Sequence, residues 1–294
     1  MRQPAPISSA GVTFSNHERG SVVPWVWIES RRHWAPVDVR ALWDYRELLH
    51  FLAWRDVKVR YKQAVLGGLW AIIQPVLMAV VFTIFLSRVA GIRSDGVPYP
   101  LFVYSGLILW QMFSLSLTQA SGSIVSSASL VTKVYFPRLV IPLSSILVSL
   151  VDAAIASTVL VAMLIYYRIP VTLAIFTLPF FLLLAVLTAI AVSCWSSALN
   201  VQYRDVRWII PFLIQAWLFA TPVMYPSTLV PDAWRPLFGL NPMVGAVEGF
   251  RWALLGQAPP SLPMLTVSSA AMLIVLIGGL YYFRSVEQSF ADTI

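Results

Sequence analysis

Charge, histidine and cysteine are all scarce in this chain of 294 residues. Charged residues make up 11% of it, against roughly 25% in soluble domains. The three histidines, His17, His33 and His50, all lie in the N-terminal region, so none can serve a site deep in the apolar remainder. The one cysteine, Cys194, falls in an apolar run, which excludes a disulfide framework within one chain. No G-x-x-x-x-G-K-[ST] occurs, so this chain does not bind ATP through a P-loop. H-E-x-x-H and G-x-S-x-G are also missing, which removes the zincin and nucleophile-elbow chemistries. The first twenty residues have no apolar core, so no cleaved secretory signal is expected. Strand-like alternation is absent, which argues against a β-barrel, and no internal repeat of the secondary-transporter kind is found.

What the chain has instead is apolar length. It is 59% hydrophobic, with a mean hydropathy of +0.77. Residues 63–87, 96–132, 169–203, 208–231 and 252–283 carry no charge, and 139–167 carries only Asp152. A bilayer-spanning helix needs about 20 apolar residues. The pattern predicts spans over 64–87, 101–124, 140–166, 172–199, 208–225 and 262–283. Segment 237–258 is apolar too, but Gly and Pro frame it and Glu248 and Arg251 interrupt it; it reads as a re-entrant or interfacial segment. The expected fold class is an all-α integral membrane protein. Its parts are an N-terminal extension (1–36), an amphipathic interfacial helix (37–62), a six-span domain (63–285) and a C-terminal tail (286–294).

A net charge of +7 invites a nucleic-acid reading, but the distribution of the charge argues against it. With six spans and the N-terminus inside, the inner segments hold fifteen Lys and Arg and the outer segments five, namely Arg88, Arg93, Arg168, Arg235 and Arg251. That asymmetry is the positive-inside rule, and it predicts that both termini are cytoplasmic.

Residues 38–62 read as one basic amphipathic helix. Arg40, Asp44, Glu47, Arg55, Lys58 and Lys62 share a stripe broken by Phe51; Leu42, Tyr45, Leu49, Leu52 and Val59 share another broken by Asp56. Such a helix lies in the membrane interface, with Trp43 and Trp54 at headgroup level; the plainer alternative is a helix of a small soluble domain. Pro75 predicts a kink in the first span. Lys133, Arg138 and two prolines mark a short helix bounded by breaks in the inner connection 125–142.

Few residues inside the spans carry chemistry. Asp152 is the only ionised side chain deep in a span, and a charge at the bilayer centre costs at least about 2.5 kcal/mol, so it should face protein or water. It reads either as part of a pathway or gate, or as a structural hydrogen bond to a neighbouring helix. Glu248 and Arg251 stand at i, i+3, where they can pair locally, and Gly245 and Gly249 form G-x-x-x-G, which permits close packing. This segment reads as lining an exit or as a structural cap. Trp70, Phe82, Phe85, Trp110, Phe113, Trp217 and Phe219 fall within spans, either as broad sugar-binding faces or as core and lipid-facing packing.

Four blocks, taken together, resemble a known family. They are RDVKVRYKQAVLGGLWAIIQPVLMAVVFTIFL (55–86), KVYFPRLVIPLS (133–144), ALNVQYRDVRWIIPFLIQAWLFATPVMYP (198–226) and NPMVGAVEGFRWALLG (241–256). In order and spacing they look like ABC-2 type permeases that export polysaccharides, and the resemblance covers about residues 40–285. It implies a homodimer paired with two ATP-binding subunits, around a channel lined partly by aromatic residues. The transported polymer would be carried on a lipid pyrophosphate, as O-antigens are, across a bacterial inner membrane. No cofactor is expected in this chain, since ATP and Mg would be bound by the partner. Lys133, Tyr135 and Arg138 become candidate contacts to that partner. Arg55, Lys58, Arg60 and Lys62 become candidate contacts to the pyrophosphate or to membrane lipids. Asp152, Glu248 and Arg251 become candidate gate or exit residues. Three other readings compete. They are an ABC-2 exporter of a small hydrophobic drug, an integral-membrane glycosyl or acyl transferase, and a proton-coupled carrier built on Asp152.

Overall fold

The computed structural model describes residues 39–62, 67–94, 96–231 and 234–290. The N-terminal extension expected over 1–36 lies outside them. The described residues form helices and connections, with no strand among them. In chain order the helices are α1 (Val39–Asp44), α2 (Arg46–Lys62), α3 (Trp70–Phe82), α4 (Tyr99–Ser126), α5 (Ala128–Lys133), α6 (Val140–Tyr166), α7 (Leu178–Gln202), α8 (Val206–Phe219), α9 (Arg235–Phe238), α10 (Pro242–Leu255) and α11 (Leu262–Val286). A 3-10 turn (Gly67–Leu69) leads into α3, and a π-helical stretch (Thr83–Val89) continues it.

Five helical runs are long and apolar enough to cross a membrane: Gly67–Val89, Tyr99–Ser126, Val140–Tyr166, Leu173–Gln202 and Leu262–Val286. Each matches a predicted span to within three residues at either end. The predicted span 208–225 differs. Its helix, α8, has 14 residues, so it rises about 21 Å, short of a hydrocarbon core of about 30 Å. The apolar run continues past Phe219, but the backbone from Ala220 to Tyr225 turns and bends.

The buried core divides into two clusters, and the division fixes how the helices run. The first holds Tyr99 to Leu117 of α4, Ala153 to Leu160 of α6, Phe181 to Ala189 of α7 and Met272 of α11. The second holds Ile124, Val140, Ile141, Cys194, Ala198, Val201, Phe283 and Val286. The C-terminal ends of α4, α7 and α11 therefore gather around the N-terminal end of α6. α4, α7 and α11 run one way and α6 runs the other. Lys133, Arg138, Arg204, Arg207 and Arg284 belong to segments at the end of the second cluster. We call it the basic end, and the opposite one the far end. α7 and α11 approach closely where Gly279 meets the Ala191 carbonyl, since a Cβ at 279 would come within 2.7 Å of that oxygen. Beside it, Trp195 stacks on Tyr282 at 4.8 Å and donates to the Val275 carbonyl at 3.0 Å.

The helix expected over 38–62 is interrupted at Tyr45, giving α1 and α2. Its apolar face packs inward, with Leu42, Tyr45, Leu48 and Leu49 against the second cluster and Leu52, Ala53 and Val57 buried. Val59, expected on that face, is exposed. The opposite face displays Trp43, Phe51 and Trp54, each more than half exposed. α2 packs along α6, and its C-terminal residues Arg60 and Tyr61 reach Asp152. Asp152 lies about 18 Å along α6 from Val140 at 1.5 Å per residue.

Candidate functional site

After α8 the backbone from Ala220 to Tyr225 forms a non-helical strap. A chain that leaves helical geometry inside an apolar bundle strands its carbonyls, and each stranded group costs free energy unless something donates to it. Here side chains do so. Tyr225 Oη donates to the Phe219 carbonyl at 2.8 Å, and Asn241 Nδ2 to the Ala220 carbonyl at 3.1 Å. Arg251 donates through Nη1 to Pro222 and through Nη2 to Val223. Tyr99 Oη donates to the Met224 carbonyl at 2.6 Å. Thr221, Val223 and Met224 are buried, so water is not the alternative partner.

Arg251 is the largest of the fully buried side chains. Its third nitrogen, Nε, donates to the Phe102 carbonyl at 3.1 Å, and its guanidinium lies 3.6 Å from the Phe102 ring centroid. The three guanidinium nitrogens are thus spent on backbone carbonyls of α4 and the strap, whereas the i, i+3 spacing suggested a local pair with Glu248. Glu248 instead accepts hydrogen bonds from the hydroxyl and the amide of Ser227, while its charge still acts on Arg251. Gly106 makes room for Arg251, because a Cβ there would overlap Nη2.

α10 holds these donors in place because both of its ends are well made. The Asn241 side chain accepts from the Met243 amide at 3.1 Å, Pro242 fills the first turn, and Gly256 closes the helix at φ 64°. Both glycines of the G-x-x-x-G pair sit at crossings. Gly245 faces Ser268 of α11, and Gly249 faces the Phe181 ring of α7, where a Cβ would collide.

Asp152 is held from α2. Arg60 Nη1 lies 2.9 Å from its Oδ2, and Tyr61 Oη donates to its Oδ1. Burial, then the hydrogen bond to Asp152, pushes the Tyr61 hydroxyl up and keeps it a donor. Among the other cations of α2, Arg55 pairs with its neighbour Asp56 at 2.8 Å, Lys58 lies over the Trp54 ring at 5.5 Å, and Lys62 is exposed.

At the basic end, α5 and residues 134–139 form a protruding connection. Lys133, Val134 and Tyr135 are exposed, Tyr135 by 71%, whereas Val131 and Phe136 on either side are buried. Arg138 turns away from solvent toward Glu287: its amide donates to Glu287 Oε1 at 2.9 Å and its Nη1 to the Glu287 carbonyl.

The aromatic candidates separate into two sets. Phe113 and Trp110 are buried within the chain, and Phe113 meets Trp217 edge-on at 5.1 Å. Trp70, Phe85 and Phe219 are exposed, and Phe82 is half-buried against the first cluster. Tyr99, Gly106, Asn241 and Glu287 were not singled out from the sequence. Asn241-Pro242 is the one readable signal among them, a helix N-cap followed by proline at the first turn.

The ABC-2 type transporter family matches residues 47–255, from α2 to the end of α10. The O-antigen export system permease protein RfbA of Myxococcus xanthus is 30% identical over 258 residues, covering 87% of this chain and 98% of that protein. RfbA of Klebsiella pneumoniae is 28% identical over 247 residues, covering 84% and 94%. The polysialic acid transport protein KpsM of Escherichia coli is 23% identical over 243 residues, covering 80% and 92%.

Proposed function

Because this chain belongs to the ABC-2 type transporter family, we propose that it is the membrane subunit of an ATP-driven exporter of a polysaccharide such as an O-antigen. It is a multi-pass membrane protein and a transport subunit rather than an enzyme. The observation that carries the substrate class is the end-to-end match to relatives named for O-antigen export, one of them aligned over 98% of its length.

In this reading the chain crosses the membrane six times, with both termini in the cytoplasm of a bacterium and the spans in its inner membrane. The parallel course of α7 and α11 supports the count, since the chain must return between them. α8 makes the inner half of that return. The strap and α10 fill the outer half as a re-entrant element, with every stranded carbonyl from 219 to 224 but that of Thr221 met by a side-chain donor. The basic end faces the cytoplasm, which agrees with the inner excess of Lys and Arg.

A separate subunit binds ATP and Mg and docks on Lys133, Val134 and Tyr135, which stand clear of the bundle. Two copies of this chain enclose the path, with Trp70, Phe85 and Phe219 as the aromatics free to line it and Trp110, Phe113 and Trp217 packed behind. The exposed cation and tryptophan face of α1 and α2 meets anionic lipid, including the pyrophosphate of a lipid-linked substrate. Arg60 is committed to Asp152, so Lys58 and Lys62 are the better candidates for that role.

Deleting the chain in its native host should remove the surface polysaccharide, and the tagged chain should co-purify with a P-loop ATPase. An unchanged surface, or a stable complex without ATPase activity, would overturn the reading.

A further inference from the structure

Glu287 belongs to no motif in the sequence, yet it fastens two elements that the functional reading treats separately. It sits just past α11 and accepts from the Arg138 amide through Oε1 and from the Arg138 guanidinium through its carbonyl oxygen. Its other carboxylate oxygen lies 2.6 Å from Arg284 Nη1. Beside it the Arg138 guanidinium lies 6.0 Å from the centroid of Phe290, which is fully buried and meets Phe283 edge-on at 5.4 Å. Phe136, Leu139 and Ile141 belong to the same buried cluster. The connection that carries exposed Tyr135 is therefore bonded to the end of α11, as well as continuous with α6.

At its other end α11 touches α10. Ser268 Oγ donates to the Gly239 carbonyl at 2.9 Å, and Gly245 packs on the Ser268 side chain. Between Ser268 and Glu287, α11 is one uninterrupted helix with its only proline in the first turn. A helix of that kind transmits displacement along its axis, because its backbone bonds resist local extension.

We propose that Glu287 is a positioning residue that locks the partner-facing segment 128–138 to α11, so that movement driven by the ATPase reaches α10 and the strap. This rests on the exporter reading. Without Glu287 the segment still docks and ATP is still hydrolysed, but less of the movement arrives at the far end.

The test uses the full complex in its native host, with two readouts: surface polysaccharide per cell and ATPase activity of the purified complex. Glu287→Ala should leave assembly and ATPase near parental levels while export per ATP falls about tenfold, within the range by which residues between sites modulate coupling. Arg138→Ala should act in the same direction, and the double variant should lose more than either single one, because each side chain bonds the other residue's backbone and each substitution removes a different bond. Should Glu287→Ala not fold, Glu287→Gln keeps the acceptor for the Arg138 amide; it should assemble and lose export per ATP by a smaller factor. Parental export per ATP in every assembled variant, or export and ATPase falling in step, overturns the proposal and leaves the exporter reading intact. Loss of the ATPase partner from the parental complex overturns both.

Discussion

Gly106 lies directly beneath the Arg251 guanidinium, and a single added methyl group there would occupy the space of Nη2. The pair joins the far end of α4 to α10 and the strap through contacts that no other residue type at 106 permits. Gly106→Ala should therefore destabilise the chain by about 1–3 kcal/mol, the usual cost of overpacking. Arg251→Met leaves the carbonyls of Pro222 and Val223 without donors, at about 1–3 kcal/mol for each buried group left unsatisfied. In the double variant the added methyl group no longer meets a guanidinium. Its cost should fall well below the sum of the two, read as thermal midpoints of the detergent-solubilised protein. Additive losses would mean that the two residues do not act on each other.

Asp152 should prove structural. Asp152→Asn keeps an acceptor for Tyr61 and removes the charge pair with Arg60. Export should stay close to parental, while thermal stability drops because Arg60 is left uncompensated. Replacing both, as Arg60→Met with Asp152→Leu, should recover much of the loss, since an apolar pair often matches a buried ion pair in stability. Abolished export in an assembled Asp152→Asn complex with parental ATPase would return the proton-coupled reading to the front.

Tyr135 should matter for assembly and not for the fold of this chain. It is 71% exposed, so Tyr135→Ala should leave the thermal midpoint unchanged. As an aromatic anchor in a protein interface it should contribute about 2 kcal/mol, a loss of about 30-fold in affinity for the ATPase. Titrating the purified ATPase against the membrane-embedded variant reads this directly. Parental affinity would move the docking surface elsewhere on the basic end.

Gly249→Ala drives a methyl group into the Phe181 ring. It should cost about 1–3 kcal/mol and lower the yield of folded protein. Shortening the ring with Phe181→Leu in the same chain should restore part of it. A stable Gly249→Ala protein on its own would show that α10 and α7 can part at no cost.

Hydropathy made the five membrane-length helices legible because a long charge-free run has few other uses. It failed at α8 because it registers side chains and not backbone partners. Residues 220–225 are as apolar as a helix, and what lets them unwind is the set of donors brought by Tyr99, Asn241 and Arg251, two of them distant in sequence. Pro222 was the local hint, since the residue before a proline is biased away from helical geometry. Arg251 was visible as a charge out of place, but its i, i+3 neighbour Glu248 suggested a simpler partner than three carbonyls. Arg60 read as a free cation because its partner Asp152 lies in another helix. Glu287, beyond the last span, gave no signal at all.

The strap after α8 differs from every helix around it in how it can come apart. Helical hydrogen bonds form cooperatively, so opening one loosens its neighbours. The carbonyls of residues 219–224, that of Thr221 apart, answer to several independent side chains, and each can let go while the others hold. Its stability is thus a set of separate terms, adjustable one substitution at a time. A lineage transporting a bulkier or slimmer cargo could retune this stretch without redesigning a single transmembrane helix.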